Sequence, residues 1–305
     1  MIADTANPTS TRNAAVRTAA VIDVGTTSIR MALADIDDGG DVHLLTSLSQ
    51  AVALGKDTFT RGSIEKSTIE ECVRVLKSYK RVLAEYGIDR PDQVRVVATS
   101  AVREALNKLA FLDRIYTATG LQVIPIDESE VNRVTYLGVQ PLLKLDPKLA
   151  EARTVITEVG GGSTELLQVQ NADVLFAHTY RLGSLRMHQT LEAYHASHAA
   201  TRRLMETQIQ RVIDQVLQQV PPGQSQEMVV LGGDMRFAAQ QLVADWARDS
   251  LTAIPLKDLE ELTDTVLSLN EDKLVHRYHI TFPDAGTLGP ALVAYVMLAN
   301  AFQLK

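Results

Sequence analysis

Cysteine is almost missing from this chain of 305 residues: Cys72 stands alone. One thiol excludes an intrachain disulfide and any thiolate-rich metal cluster, a usage that suits a reducing compartment. Aromatic residues are scarce, at 5%, so cores have to be built from Ala, Val, Leu and Ile. The one tryptophan, Trp246, and Cys72 are both read as core residues. No apolar run reaches the ~18 residues that crossing a bilayer requires. The N-terminus lacks the basic-then-apolar layout of a secretion signal. Basic charge is in deficit, 30 Lys and Arg against 37 Asp and Glu, for a formal net charge of −7. That balance argues against general affinity for duplex nucleic acid or an anionic membrane. It leaves room for a phosphorylated small molecule, which answers to a local field. The expectation is a cytoplasmic protein. What is present is globular composition, 46% apolar and 22% charged, at a length that favours two lobes.

Residues 1–18, rich in Thr, Asn and Ala, are read as a flexible tail. Residues 19–137 and 138–305 are read as two α/β lobes. The first opens with strand, small-residue turn and strand, then a further strand at 42–54, as in an antiparallel meander. A helix is expected over 67–86, capped by Ser67, because Ile69, Cys72, Val73, Leu76, Tyr79 and Leu83 recur at three- and four-residue steps. A strand at 94–98, a helix at 100–113, a strand at 121–126 and a helix at 129–140 follow. The second half restarts with strand, Gly loop and strand over 154–169. A long helix at 199–220, a strand at 228–231 opening into a helix at Gly232-Gly233, and an apolar helix at 289–304 complete it. That last helix is read as too short and too late to span a membrane.

One internal correspondence organises these elements. Asp23-Val24-Gly25-Thr26-Thr27-Ser28-Ile29-Arg30 overlays Glu158-Val159-Gly160-Gly161-Gly162-Ser163-Thr164-Glu165: an acid, an apolar residue, Gly, small residues, and a charge at the eighth place. The chain reads as two copies of one α/β design. Turns of Gly, Ser and Thr let backbone N–H groups approach phosphate oxygens closely. Two such turns across a cleft would hold a chain of phosphates, with Asp23 and Glu158 placed to hold a divalent ion. One such loop alone reads first as an ordinary hairpin turn; two matching loops, each preceded by an acid, reverse that order. The strand-to-helix step at Thr99-Ser100, with Arg103 in the first turn, suits an anion-binding helix start. A plain Ser100 cap explains the same residues.

With these residues in view, VIDVGTTSIRM, ATSAVREALN, VITEVGGGSTEL and VVLGGDMRFAA together resemble the exopolyphosphatase / guanosine pentaphosphate phosphohydrolase (Ppx/GppA) family, over nearly the whole chain. The resemblance implies two ribonuclease-H-like lobes of the actin/hexokinase superfamily around a cleft. It implies Mg²⁺-dependent hydrolysis of terminal phosphoanhydrides in polyphosphate or guanosine pentaphosphate. It implies phosphate contacts from Gly25, Thr26, Thr27 and Ser28, from Gly160, Gly161, Gly162, Ser163 and Thr164, and from Gly232 and Gly233. Arg103 matches the family's phosphate-contacting Arg, and Asp23, Glu158 and Glu165 take the acidic positions associated with metal. Family members are often homodimers, although no interface is legible in this sequence.

The family usually reads Ile-Ser-Gly-x-Glu-Glu-Ala-Arg-Leu before a Gly-Val, and its second Glu is the catalytic base. Here residues 126–134 read Ile-Asp-Glu-Ser-Glu-Val-Asn-Arg-Val, which sets Val131 at the base's place. Valine takes no proton from water, so Glu130, or after it Glu128, is the expected substitute. Three readings stay open: a hydrolase with a relocated base, a sensor that binds polyphosphate or guanosine tetra- and pentaphosphate without cleaving them, and a phosphotransferase of the same superfamily. Arg186 fits cleft or structural duty equally. Arg202-Arg203 and Arg211 are read as a solvated helix face before a phosphate track. His188, His195 and His198, and the pair His276 and His279, are read as surface or interlobe histidines before metal ligands.

Overall fold

A computed structural model describes residues 17–193, 198–223, 227–247 and 250–304. Most of the expected tail and His195 lie outside them. The chain opens with β1 (Arg17–Val24), β2 (Ser28–Ile36) and β3 (Val42–Ala51), antiparallel as read from the sequence. Next come α1 (Leu54–Arg61), α2 (Lys66–Glu85), β4 (Val94–Ala98), α3 (Ser100–Glu104), α4 (Lys108–Thr119) and β5 (Val123–Pro125). β4 pairs in parallel with β1, and β5 with β4, so the first sheet runs β3-β2-β1-β4-β5.

Helices α5 (Glu128–Leu145) and α6 (Pro147–Glu151) lead to a second round of the same plan. Strands β6 (Thr154–Val159), β7 (Thr164–Gln170) and β8 (Asp173–Tyr180) are antiparallel, and α7 (Ser184–Ala193) and α8 (His198–Gln219) follow. Strand β9 (Glu227–Leu231) returns in parallel beside β6, giving the order β8-β7-β6-β9. The chain ends with α9 (Gly233–Leu242), α10 (Leu256–Leu267), α11 (Glu271–Tyr278) and α12 (Phe282–Ala301). The repeat read from the sequence is therefore a repeat of topology. Its register pairs Asp23 with Arg30 in the first lobe and Glu158 with Glu165 in the second.

The two sheets are covered differently. In the first lobe the apolar stripe of α2 packs inward as its periodicity requires, and the Tyr79 hydroxyl donates to the Ile29 carbonyl at 2.8 Å. In the second, β6 is buried on both faces, and its buried Thr154 and Thr157 hydroxyls donate to the Leu149 and Glu165 carbonyls, at 3.2 and 2.9 Å. Val155 and Val159 join the core built by α8 and α12, while Ile156, Leu167, Val169 and Val229 meet Val139 and Leu143 of α5. Inside that core the fully buried Tyr295 accepts from the Val159 N–H at 2.7 Å and donates to the Leu231 carbonyl at 2.5 Å. One phenol thus ties the cleft ends of β6 and β9 to α12.

Several expectations are corrected. A lobe boundary at 137/138 would cut α5, whose later half packs on the second sheet; the chain changes sheets at 126–127, between β5 and α5. Ser67 is not the cap of α2, because the helix starts at Lys66 behind Glu65. The helix read over 100–113 is two helices, broken where the Asn107 amide accepts from Ile64 N–H (2.9 Å) and donates to Ile64 C=O (2.8 Å). The C-terminal helix starts at Phe282 and is, by length and composition, long enough to cross a membrane; it is instead packed among α7, α8, α10 and α11. Trp246 is half-buried outside the cores, its indole donating to the Ser250 carbonyl, whereas Cys72 is fully buried as expected.

Replacing Tyr295 by Phe should lower unfolding free energy by about 1–3 kcal/mol, because it leaves two buried backbone groups without partners. Urea unfolding measures this; an unchanged midpoint would mean that neither bond contributes net stability.

Candidate active site

Both small-residue loops are built in the same way, and they meet. In each, the first glycine N–H closes the turn: Gly25 on the Ser28 carbonyl at 3.0 Å, Gly160 on the Ser163 carbonyl at 2.8 Å. The carbonyls are then taken from behind. Those of Thr26 and Thr27 accept from Gly55 and Val52 N–H, at 2.8 and 3.0 Å. Those of Gly160 and Gly161 accept from Ser184 and Arg186 N–H, at 2.9 and 3.0 Å, and that of Gly162 from the Arg186 Nε at 3.0 Å. A trans peptide points its N–H opposite its C=O. The amides of Thr27 and Ser28, and of Gly161, Gly162 and Ser163, therefore face away from those partners. These are two rows of N–H groups of the kind that can bind an anion.

Glycine is required at Gly162 and Gly183 and favoured at Gly161, where the loops pack. A Cβ on Gly161 would lie 3.2 Å from Thr26, and one on Gly162 2.3 Å from the Ser100 hydroxyl and 2.6 Å from Phe59. A Cβ on Gly183 would stand 2.4 Å from the Gly161 carbonyl oxygen. Above this contact lies a cleft of about 540 Å³. Its walls include Asp23, Gly25, Thr26, Thr27, Ser28, Arg103, Glu158, Gly160, Gly161, Gly162, Ser163, Glu165, Gly232 and Gly233, as the sequence led us to expect.

Two expected residues are not there. Thr164 is buried, and its hydroxyl donates to the Leu182 carbonyl at 2.5 Å, so it packs the strand behind the loop. Glu130 is half-buried outside the cleft lining and held by both Arg133 Nε and Nη2 at 2.7 Å, which lowers its pKa, while Val131 lines the cleft in its stead. One helical residue is about 100° of rotation, which explains why adjacent side chains part company here. Glu128 stands 3.6 Å from Arg103 Nη2, whose Nη1 donates to the Ile126 carbonyl at 3.1 Å. Ser100 does not cap α3 but lies 3.3 Å from the Thr26 hydroxyl.

Arg30, Asp234, Arg236 and Asp284 also line the cleft, and the sequence reading passed over them. Arg30 holds the eighth place of the repeat, and Asp234 and Arg236 lie within VVLGGDMRFAA, so signals existed. Asp284 had none, because it reaches the cleft only through the start of α12. Arg203 and Arg211 line a separate groove on α8 with Glu206 and Asp214, and extend no phosphate track from the cleft. His188 faces Glu192 and Glu271, at 3.4 and 3.9 Å.

The cleft concentrates buried carboxylates. Burial raises the pKa of Asp23 and Glu158, opposed for both by Arg30 and for Glu158 also by Arg236. Burial pushes Glu165 up to about 7 against a 2.7 Å hydrogen bond from the Ser163 hydroxyl, with Glu158 adding to the rise. Asp234 also rises to about 7, through burial and then its neighbour Asp284. Asp23 Oδ1 is buried with no hydrogen-bond partner.

A sequence profile of the Ppx/GppA phosphatase family matches residues 32–279. This chain belongs to that family. It is similar to Exopolyphosphatase 2 of Mycobacterium tuberculosis, 26% identical over 265 residues that cover 82% of this chain and 80% of that protein. A bifunctional 3-dehydroquinate synthase/phosphatase of Fusobacterium nucleatum is 25% identical over 172 residues, 55% of this chain, which spans only 25% of that longer protein. The fold matches an exopolyphosphatase from Cytophaga hutchinsonii, with TM-score 0.81 at 21% identity, over 92% of this chain and 90% of that one. It also matches the Aquifex aeolicus Ppx/GppA family member, with TM-score 0.74 at 22% identity, over 95% and 92%. Both solved structures share this chain's actin/hexokinase-like architecture.

The raised carboxyls make stability depend on pH. A carboxyl whose folded pKa exceeds its unfolded value contributes stability below the unfolded value, near 4.5 for Glu165, and loses it as pH rises through about 7. Glu165→Gln should therefore match the parent near pH 4.5 and exceed it at pH 8 by on the order of 3 kcal/mol. Urea unfolding at both pH values checks this; equal stability at pH 8 would mean that the carboxylate is not destabilised there.

Proposed function

We propose that the protein hydrolyses terminal phosphoanhydride bonds of inorganic polyphosphate or guanosine pentaphosphate in the cytoplasm, releasing orthophosphate. The observation that carries this reading is the pair of amide rows turned into one cleft beside Arg103. Family membership and a relative named exopolyphosphatase support it. The loops and Arg103 would hold successive phosphates. The Gly232–Gly233 turn opens α9 towards the same space.

The donor chemistry fits Mg²⁺. Asp23 and Glu158 offer hard oxygens, and the unpartnered Asp23 Oδ1 is a buried acceptor that a cation would satisfy, which leaves Glu165, grouped with them on the sequence, for the attacking water. Among the described residues, no group of three or more carboxylate, imidazole or thiol side chains forms a preformed metal cage. That suits an ion whose shell is completed by water and substrate phosphates. When bound, it would neutralise charge on the phosphate oxygens.

Water activation falls to the second lobe. Val131 has no proton acceptor, and Glu130 is engaged with Arg133. Glu165 lies where Arg103 acts on it electrostatically, and its pKa of about 7 suits a general base near neutrality. With Mg²⁺ and long-chain polyphosphate or guanosine pentaphosphate, phosphate release should fall ~10²–10⁴-fold in Glu165→Gln. Glu130→Gln should stay near the parent rate. The parent rate should rise with pH through about 7 as Glu165 loses its proton. A large loss in Glu130→Gln with none in Glu165→Gln would reverse the assignment. Val131 favours a second reading, a sensor that grips these ligands uncleaved. No phosphate release, together with a raised melting temperature on adding either ligand, would select it.

A further inference from the structure

Arg186 is placed outside the cleft's lining yet holds two of the second loop's carbonyls. Its backbone N–H holds the Gly161 carbonyl and its Nε the Gly162 carbonyl. Its Nη2 donates to both Glu104 carboxylate oxygens, at 2.9 and 3.1 Å, and its guanidinium lies 3.9 Å over the Phe59 ring. Glu104 and Phe59 belong to the first lobe. Glu104 directly follows Arg103 in α3, and Phe59 lies against Gly162. One planar, five-donor side chain thus joins the Gly162 carbonyl to the helix that carries Arg103.

We infer that Arg186, with Glu104, is a positioning residue: it turns the Gly162–Ser163 peptide so that the Ser163 N–H faces the phosphate, and sets that amide's distance from Arg103 across the lobe junction. The inference rests on the phosphate-cleaving reading of the cleft and adds a residue that never meets substrate. Its geometry separates it from Arg181, which shares Glu104 but is largely exposed. A neutral side chain at 186 would release the Gly162 carbonyl and free that peptide to rotate. A lysine would keep the charge but cannot serve carbonyl and carboxylate together in one plane.

The test compares the parent with Arg186→Ala, Arg186→Lys and Glu104→Gln. Calorimetry follows Mg²⁺-tripolyphosphate binding, and phosphate release from polyphosphate gives kcat and KM separately. Folding of each variant is checked by circular dichroism. Arg186→Ala should bind tripolyphosphate ~10-fold more weakly and lose ~100-fold in kcat, the scale expected when a reacting group is displaced by about 1 Å. Arg186→Lys and Glu104→Gln should fall between. Low-millimolar guanidinium should restore much of the Arg186→Ala rate, whereas equal sodium chloride should not. A folded Arg186→Ala with parental binding and kcat would overturn the inference while leaving the hydrolase reading intact. A loss that guanidinium does not restore would overturn it too, reducing Arg186 to a brace. If Arg186→Ala does not fold, unchanged binding and kcat in Arg186→Lys and Glu104→Gln would have the same force. A parent chain that binds tripolyphosphate without cleaving it ends the hydrolase reading, and the binding comparison still decides Arg186. A parent that neither binds nor cleaves ends both.

Discussion

At the floor of the cleft the second lobe meets side chains of the first through glycines. Gly161 lies against Thr26, Gly162 against Ser100 and Phe59, and Gly183 against the second loop's own backbone. A Cβ would clash at Gly162 and Gly183 and crowd Thr26 at Gly161, so glycine lets the two loops approach closely enough for both rows of amides to face a common space. Every other part of the site is arranged around that approach. The strands deliver the loops, α1 and α7 take the loop carbonyls from behind, and α3 and α9 bring Arg103 and Asp234 to the walls.

Close packing of this kind has an electrostatic consequence. It removes water from Asp23, Glu158, Glu165 and Asp234, whose carboxyls all rise in pKa. Arg30 lowers three of them but does not cancel the burial. A fold that gathers carboxylates around amide donors is less stable when those groups are ionised and no cation is near. Such local cost is common at functional sites, where preorganisation is maintained by the surrounding structure. The buried Tyr295 helps supply that maintenance, anchoring both strand ends that carry the acidic wall to the most buried helix of the lobe.

The internal repeat explains both what is shared and what differs. Equivalent places in the two lobes hold Asp23 and Glu158, then Arg30 and Glu165. The same backbone therefore presents a cation from one side and a carboxylic acid from the other. On the proposed function, that asymmetry would let a symmetric frame hold an anion and act on it.

Much of this was legible in the chain itself. Strand, turn and helix periodicities marked β1, β2, α2, β6, β7 and α8, because alternation and three-to-four spacing are local properties. The loops and Arg103 were legible because small residues after an acid-bearing strand make a local pattern. Short helices such as α1 and α7 were missed, being too brief for a periodic signal, and so was the break at Asn107, which depends on Ile64. The sequence by itself determined the two-lobe repeat and the residue types at the cleft. Only the tertiary structure decided that Thr164 packs inward, that Glu130 pairs with Arg133 while Val131 faces the cleft, and that Arg186 joins Gly162 to Glu104. Those outcomes depend on which way a side chain turns and on partners as much as 82 residues away in the chain, and no local pattern carries that information.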